Sequence, residues 1–141
     1  MNIGAGTVIN ISQAKKAVEV GAKFLVSLGL SEDVAVFARE NKIPYYPGTV
    51  TPTEIMRAID LGINVVKFFP ANVYGGLNAI KALSGPFPQL KFIPTGGVSE
   101  ENLAEFLEND KIFTVGGSWM MKGYVKANCE RIGQIVKGIN K

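Results

Sequence analysis

Short apolar runs alternate along the chain with stretches whose apolar positions recur every three or four residues, the strand and helix periods respectively. Ile3 to Val8 reads as a strand, followed by a helix with Ser12 as its cap and Ala14, Ala17, Val18 and Val20 among its apolar positions. Phe24-Leu25-Val26-Ser27 is the next strand, and Ser31-Glu32-Asp33 opens a helix through Val34, Val36, Phe37 and Ala38. Ile43 to Tyr46 is a strand ended by Pro47-Gly48. Thr51-Pro52-Thr53-Glu54 carries a threonine cap, proline at the first helical position and an acid three residues after the cap, and its helix runs to about Leu61 and stops at Gly62. The apolar run Asn64 to Pro70 is a strand with Lys67 at its middle; a helix across Leu77, Ile80, Ala82 and Leu83 follows and ends at Gly85-Pro86. Lys91 to Thr95 is a strand, Ser99-Glu100-Glu101 caps a helix through Leu103, Phe106 and Leu107, Ile112 to Val115 is the last strand, and Tyr124 to Ile139 is a closing helix.

The pattern is six strand-then-helix units in a row with short connections, which means parallel strands joined by helical crossovers. A doubly wound open sheet and a TIM-type (β/α)₈ barrel both satisfy it. Gly4-Ala5-Gly6-Thr7, Ser27, Tyr46-Pro47-Gly48, Lys67, Thr95-Gly96-Gly97 and Gly116-Gly117-Ser118 all fall at strand carboxyl ends. An open sheet concentrates special residues at its switch point, whereas a barrel draws on every strand for one mouth. The expected fold is therefore α/β, an incomplete (β/α)₈ barrel of six units, as one domain over residues 1–141.

Composition narrows the chemistry. The net charge is +3, and the basic residues are scattered, with no basic block or aromatic-basic interleaving, so a nucleic-acid partner is not expected. No stretch is long enough to span a membrane and Met1-Asn2-Ile3-Gly4 lacks signal-peptide features, so a cytoplasmic setting is expected. Cys129 is the one cysteine and histidine is absent, which excludes a disulfide within the chain, the usual zinc sites and Cys–His catalysis.

Two features carry chemistry. An ammonium inside an apolar strand is costly unless paired, and it loses its proton more readily there. A neutral amine in a dry pocket is the nucleophile that forms a Schiff base with a ketone. The plainer alternative is that Lys67 lies at the strand end with its head in water. Second, Thr95-Gly96-Gly97-Val98 and Val115-Gly116-Gly117-Ser118 follow the last two strands, where barrel loops commonly hold phosphate. One Gly-Gly pair is more often a turn; two in these places favour an anion approaching backbone N–H groups.

These residues resemble the 2-dehydro-3-deoxy-phosphogluconate aldolase family, which includes the 4-hydroxy-2-oxoglutarate aldolases. The resemblance runs from Gly4-Ala5-Gly6-Thr7-Val8 through Val66-Lys67-Phe68-Phe69-Pro70-Ala71, Gly85-Pro86-Phe87 and Pro94-Thr95-Gly96-Gly97 to Gly116-Gly117-Ser118-Trp119. It implies a class I, Schiff-base aldolase on a (β/α)₈ barrel, commonly a homotrimer, that needs no cofactor or metal. Its substrate is a phosphorylated 2-keto-3-deoxy sugar acid, cleaved to pyruvate and glyceraldehyde 3-phosphate. By matching motif positions, Lys67 is the Schiff-base lysine. Thr7, Phe69 and Thr95 line the pyruvyl pocket, and Gly96, Gly97, Gly117 and Ser118 hold the phosphate. The sequence departs from the family at Leu28, where a proline is often found, and it starts where the family's third strand is expected. The glutamate that moves protons and the arginine that grips the carboxylate have no counterpart. Glu54 reads as a capping acid instead of a replacement, and Tyr45 and Tyr46 as packing residues. The alternatives are a weakly active or inactive remnant that binds sugar acids or partner subunits, or a 4-hydroxy-2-oxoglutarate aldolase. With two units missing, the isolated chain is expected to oligomerise, aggregate or fold only in part.

Overall fold

The computed structural model describes residues 2–121 together with 130, 133, 134, 137 and 138. The helix expected over Tyr124 to Ile139 lies outside the described residues except at those last five positions, which are helical. The chain divides into two compact units, Met1–Phe69 and Pro70–Lys141.

The first unit contains α1 (Ile11–Glu19), β1 (Leu25–Val26), α2 (Glu32–Glu40), β2 (Tyr45–Tyr46), α3 (Pro52–Asp60) and β3 (Val65–Phe68). Its pairings are all parallel: Ala5 bridges Leu25, β1 pairs β2 in the register Leu25↔Tyr45 and Val26↔Tyr46, and Gly48 bridges Lys67. Neighbours in sequence are thus neighbours in space, with a helix making each crossover. Leu25, Val34 and Ala14 are fully buried and pack with Tyr45 into one core, and each large aliphatic group so buried contributes roughly 1.5–3 kcal/mol.

Local chemistry explains why these helices start and stop where they do. The Ser31 side chain accepts from the Val34 N–H, and Thr51 with Glu54 closes a full capping box behind Pro52. For α1 the cap is Asn10, not Ser12: its side chain accepts from Gln13 N–H, and the Gln13 side chain reaches back to the Ile9 N–H. All three helices end alike. Ala22, Ile43 and Ile63 donate to Ala17, Ala38 and Ala58, after a left-handed residue at Gly21 (φ 97°), Lys42 (φ 55°) or Gly62 (φ 81°).

The strand expected from Ile3 to Val8 is a single bridge. Ala5 donates to Phe24 and accepts from Val26, so a regular parallel ladder would next have Thr7 donate to Val26; Val8 donates instead, at 3.0 Å. One residue is therefore inserted, and Thr7 takes φ 57° to absorb it. This is a bulge.

The second unit contains α4 (Gly76–Ser84), β4 (Lys91–Pro94), α5 (Leu103–Leu107) and a 3₁₀ turn (Ser118–Met121). Its strand expected over Ile112 to Val115 is likewise reduced to two bridges, Phe92↔Ile112 and Thr95↔Gly116. The second stretch is one residue longer than its partner, and Pro94 has no N–H to supply the missing rung, so the chain bulges and Phe113 is left 54% exposed. The helix expected to be capped by Ser99-Glu100-Glu101 starts later: Asn102 is its cap residue, and it spans five residues. Among the described residues no helix is long and apolar enough to cross a membrane.

Candidate active site

Burial alternates along β3. Val66 and Phe68 are 0% and 1% exposed, while Val65 and Lys67 lie on the opposite, half-buried face. Lys67 is locked from both sides by the ladder, its N–H donating to Pro47 and its carbonyl accepting from Thr49, each at 2.8 Å. Phe69, two residues on, shares its face, and Nζ stands 4.7 Å from the centroid of the Phe69 ring. Burial pushes the Lys67 amine below the ordinary lysine range. The ring face attracts the ammonium by about 0.5–1 kcal/mol and so limits that shift. Among the described residues no carboxylate forms an ion pair with Lys67. Among the described residues the amine is thus unpaired, partly dehydrated and held over the Phe69 ring.

Gly48, which bridges Lys67, admits no side chain: a Cβ there would lie 1.9 Å from the Leu28 carbonyl oxygen. The Leu28–Gly29 peptide therefore presses against the strand next to the lysine, with the Leu28 side chain 45% exposed. Thr7 is exposed at its bulge, in a left-handed conformation that is uncommon for a β-branched residue. Glu54 is committed elsewhere. Burial pushes its carboxyl up, but hydrogen bonds from Val50 N–H, the Thr51 hydroxyl and Thr51 N–H outweigh burial and hold it below the ordinary range.

In the second unit the structure brings together Thr95, Gly96 and Gly97. Gly96 (φ 89°) and Gly97 (φ 77°) are both left-handed, and the loop lies against residues 70–72, with Ala71 donating to Thr95 and Asn72 to Gly96. A Cβ on Gly97 would lie 2.3 Å from the Asn72 Cβ. Thr95 bridges Gly116, where a Cβ would come within 2.6 Å of the Thr95 hydroxyl oxygen. Gly117 and Ser118 follow directly, with Ser118 exposed at the start of the 3₁₀ turn. The two glycine loops thus meet through the Thr95–Gly116 bridge and present bare backbone.

Residue reasoning missed Asn102, whose side chain accepts from Ser99 N–H and donates to the Gly97 carbonyl at 2.9 Å, pinning the loop. An Asx residue just before an apolar helical run was the available signal. It also missed Asn72 and Trp119, which contact Gly97 and Gly117 through space alone. Because α5 begins well after Gly97, any anion at the loop is met by loop N–H groups and not by a helix end. Among the described residues no group of three or more His, Cys, Asp or Glu could hold a metal ion.

Comparison with known proteins gives this arrangement a family. Residues 1–135 match the family model described as KDPG and KHG aldolase. The KHG/KDPG aldolase of Escherichia coli (strain K12) is 43% identical over 119 residues, which cover 84% of this chain and 56% of that protein; the chain spans about half the length of the curated relatives it matches. The crystal structure of the Zymomonas mobilis ZM4 2-keto-3-deoxy-6-phosphogluconate aldolase with 3-phosphoglycerate superposes with a TM-score of 0.87 at 38% identity, covering 96% of this chain and 66% of that one. The Legionella pneumophila KDPG aldolase, with pyruvate captured at low pH as a covalent carbinolamine, superposes at 0.82 and 37% identity, covering 98% and 66%. The fold class is accordingly α/β, part of a TIM-type barrel, and the chain belongs to the KDPG and KHG aldolase family.

Proposed function

We propose that this chain is a class I aldolase that cleaves 2-dehydro-3-deoxy-6-phosphogluconate to pyruvate and glyceraldehyde 3-phosphate through Lys67. The observation that carries this reading is the unpaired, partly dehydrated Lys67 amine held over Phe69. The neutral amine attacks the C2 ketone, and the carbinolamine loses water to give an iminium. The C4 hydroxyl gives up its proton and becomes the aldehyde as the C3–C4 electron pair flows into the iminium; glyceraldehyde 3-phosphate departs, and the resulting enamine is protonated at C3. Hydrolysis then returns the free amine and pyruvate. Thr7, Phe69 and Thr95 line the pyruvyl pocket, and Gly96, Gly97, Gly117 and Ser118 hold the phosphate.

Two relatives support these roles, one with pyruvate bound covalently as a carbinolamine and one crystallised with 3-phosphoglycerate. One family model covers residues 1–135, on both sides of Phe69 and Pro70, which supports one partial barrel domain over residues 1–141. A homotrimer in the cytoplasm completes the proposal. Each proton transfer needs a positioned acid or base, a contribution of about 10²–10⁴-fold in rate. Glu54 is spent on its capping box and is not that group.

Borohydride reduction with pyruvate, followed by peptide mass spectrometry, tests the reading. A reduced pyruvyl adduct on Lys67, absent from Lys67→Ala, is the expected result. No adduct in the natural chain would leave it a binding protein that keeps the family's motifs without its chemistry.

A further inference from the structure

Trp119 begins with a conflict between its two ends. Its ring belongs to the second unit's small core, packed on Val98, Leu103 and Phe106. Its indole nitrogen is enclosed and has no hydrogen-bond partner among the described residues. Buried donors are nearly always paired, and one left unpaired in a native fold calls for an explanation. The nitrogen is also aimed at a particular place: a Cβ on Gly117 would lie 2.6 Å from Nε1. Glycine at that position lets the donor press directly against the loop backbone, immediately before the exposed Ser118. The wall behind the ring connects the two loops, since Val98 follows Gly97 in sequence.

Indole is a donor only, so whatever completes it must be an acceptor. An ionised oxygen accepts more strongly than a neutral one. The inference rests on the reading above that the Gly116–Ser118 loop holds the phosphate end of the substrate. We propose that the Trp119 indole N–H is a specificity-determining donor, giving one hydrogen bond to an oxygen of a phosphate monoester seated at Gly117 and Ser118. Because Nε1 is enclosed, the loop shifts slightly at Gly117 to admit the oxygen. The donor is then satisfied by a phosphorylated substrate and left unsatisfied by an analogue lacking the group, a difference that favours the former.

Trp119 is the single tryptophan of the chain, so indole emission reports on the surroundings of this ring. Titration of the full chain with inorganic phosphate is expected to change that emission saturably, while pyruvate leaves it unchanged. Replacing the N–H by sulfur in Trp119→benzothienylalanine keeps the ring's shape, so the melting temperature should hold while calorimetry reads phosphate binding about tenfold weaker. Equal phosphate binding by the isostere would overturn the inference, leaving the ring a packing group. So would the absence of any phosphate response in a chain that still traps pyruvate on Lys67, and the Schiff-base reading would then survive. Conversely, a chain that traps no pyruvate yet binds phosphate more weakly with the isostere would uphold the donor and reject the aldolase.

Discussion

The two units solve opposite problems. In the first, three nine-residue helices each carry a side-chain N-cap and a left-handed C-terminal turn, and the ladder fixes Lys67 through both its N–H and its carbonyl. In the second, α4 starts at Gly75 without a side-chain cap, α5 is five residues long, and the glycine loops are held by hydrogen bonds from Ala71, Asn72 and Asn102 and by the Thr95–Gly116 bridge. The surroundings of Lys67 are regular and apolar, as the proposed nucleophile requires. The proposed anion recognition by backbone needs the side chains removed, and Gly96 and Gly97 are left-handed, with order supplied by neighbours. Each unit also bulges once at a strand end that bears expected site residues, at Thr7 in one and between Ile112 and Gly116 in the other.

Glycine substitutions give the largest contrast. Gly97→Ala combines a left-handed φ with a 2.3 Å clash on Asn72; strain and overpacking together should cost about 3 kcal/mol and remove phosphate binding. Gly62→Ala has φ 81° but open space around it, so thermal unfolding should show a loss of only about 1 kcal/mol with trapping of pyruvate unchanged. Equal effects would erase the distinction between a structural and a ligand-facing glycine. At Thr7, glycine should relieve the left-handed strain and stabilise by about 1 kcal/mol, while slowing pyruvate trapping; gain of both stability and rate would remove Thr7 from the pocket.

Protonation separates the carboxylate and amine chemistry within the first unit on a smaller scale. The folded Lys67 pKa is lowered from 10.5, so between the folded value and 10.5 the unfolded chain binds more protons and stability rises with pH. Lys67→Met should abolish that rise, and the trapping rate of the natural chain should level off at a pH below 10.5. Glu54 runs the other way. Its folded pKa is lowered, so its contribution is present above the unfolded value of 4.5 and is lost as pH falls through the folded one. Glu54→Gln should flatten the acid side of the stability curve and cost about 1 kcal/mol at neutral pH, with no effect on trapping beyond that loss.

Much of this was legible in the residues. Ser31 and Thr51 cap where their spacing says, Lys67 stands in a strand with buried neighbours, and the alternation of strands and helices matches the family fold. Periodicity failed where a register is decided between two strands. Nothing in Ile3 to Val8 or Ile112 to Val115 marks the inserted residue, because a bulge exists only relative to the partner's rungs. The choice of Asn10 over Ser12 turned on where the Gln13 side chain folds back, and Asn102 on its reach to Gly97. Trp119 was read as one more motif residue, since burial of a single nitrogen has no sequence signature.

The central claim is that the amine and the anion loops act in different units of the chain. Borohydride trapping on Lys67, run with either pyruvate or the phosphorylated C6 acid and with rising inorganic phosphate as competitor, tests it most directly. The account predicts that phosphate slows trapping of the phosphorylated acid and leaves trapping of pyruvate untouched. Inhibition of both alike, or of neither, would contradict it.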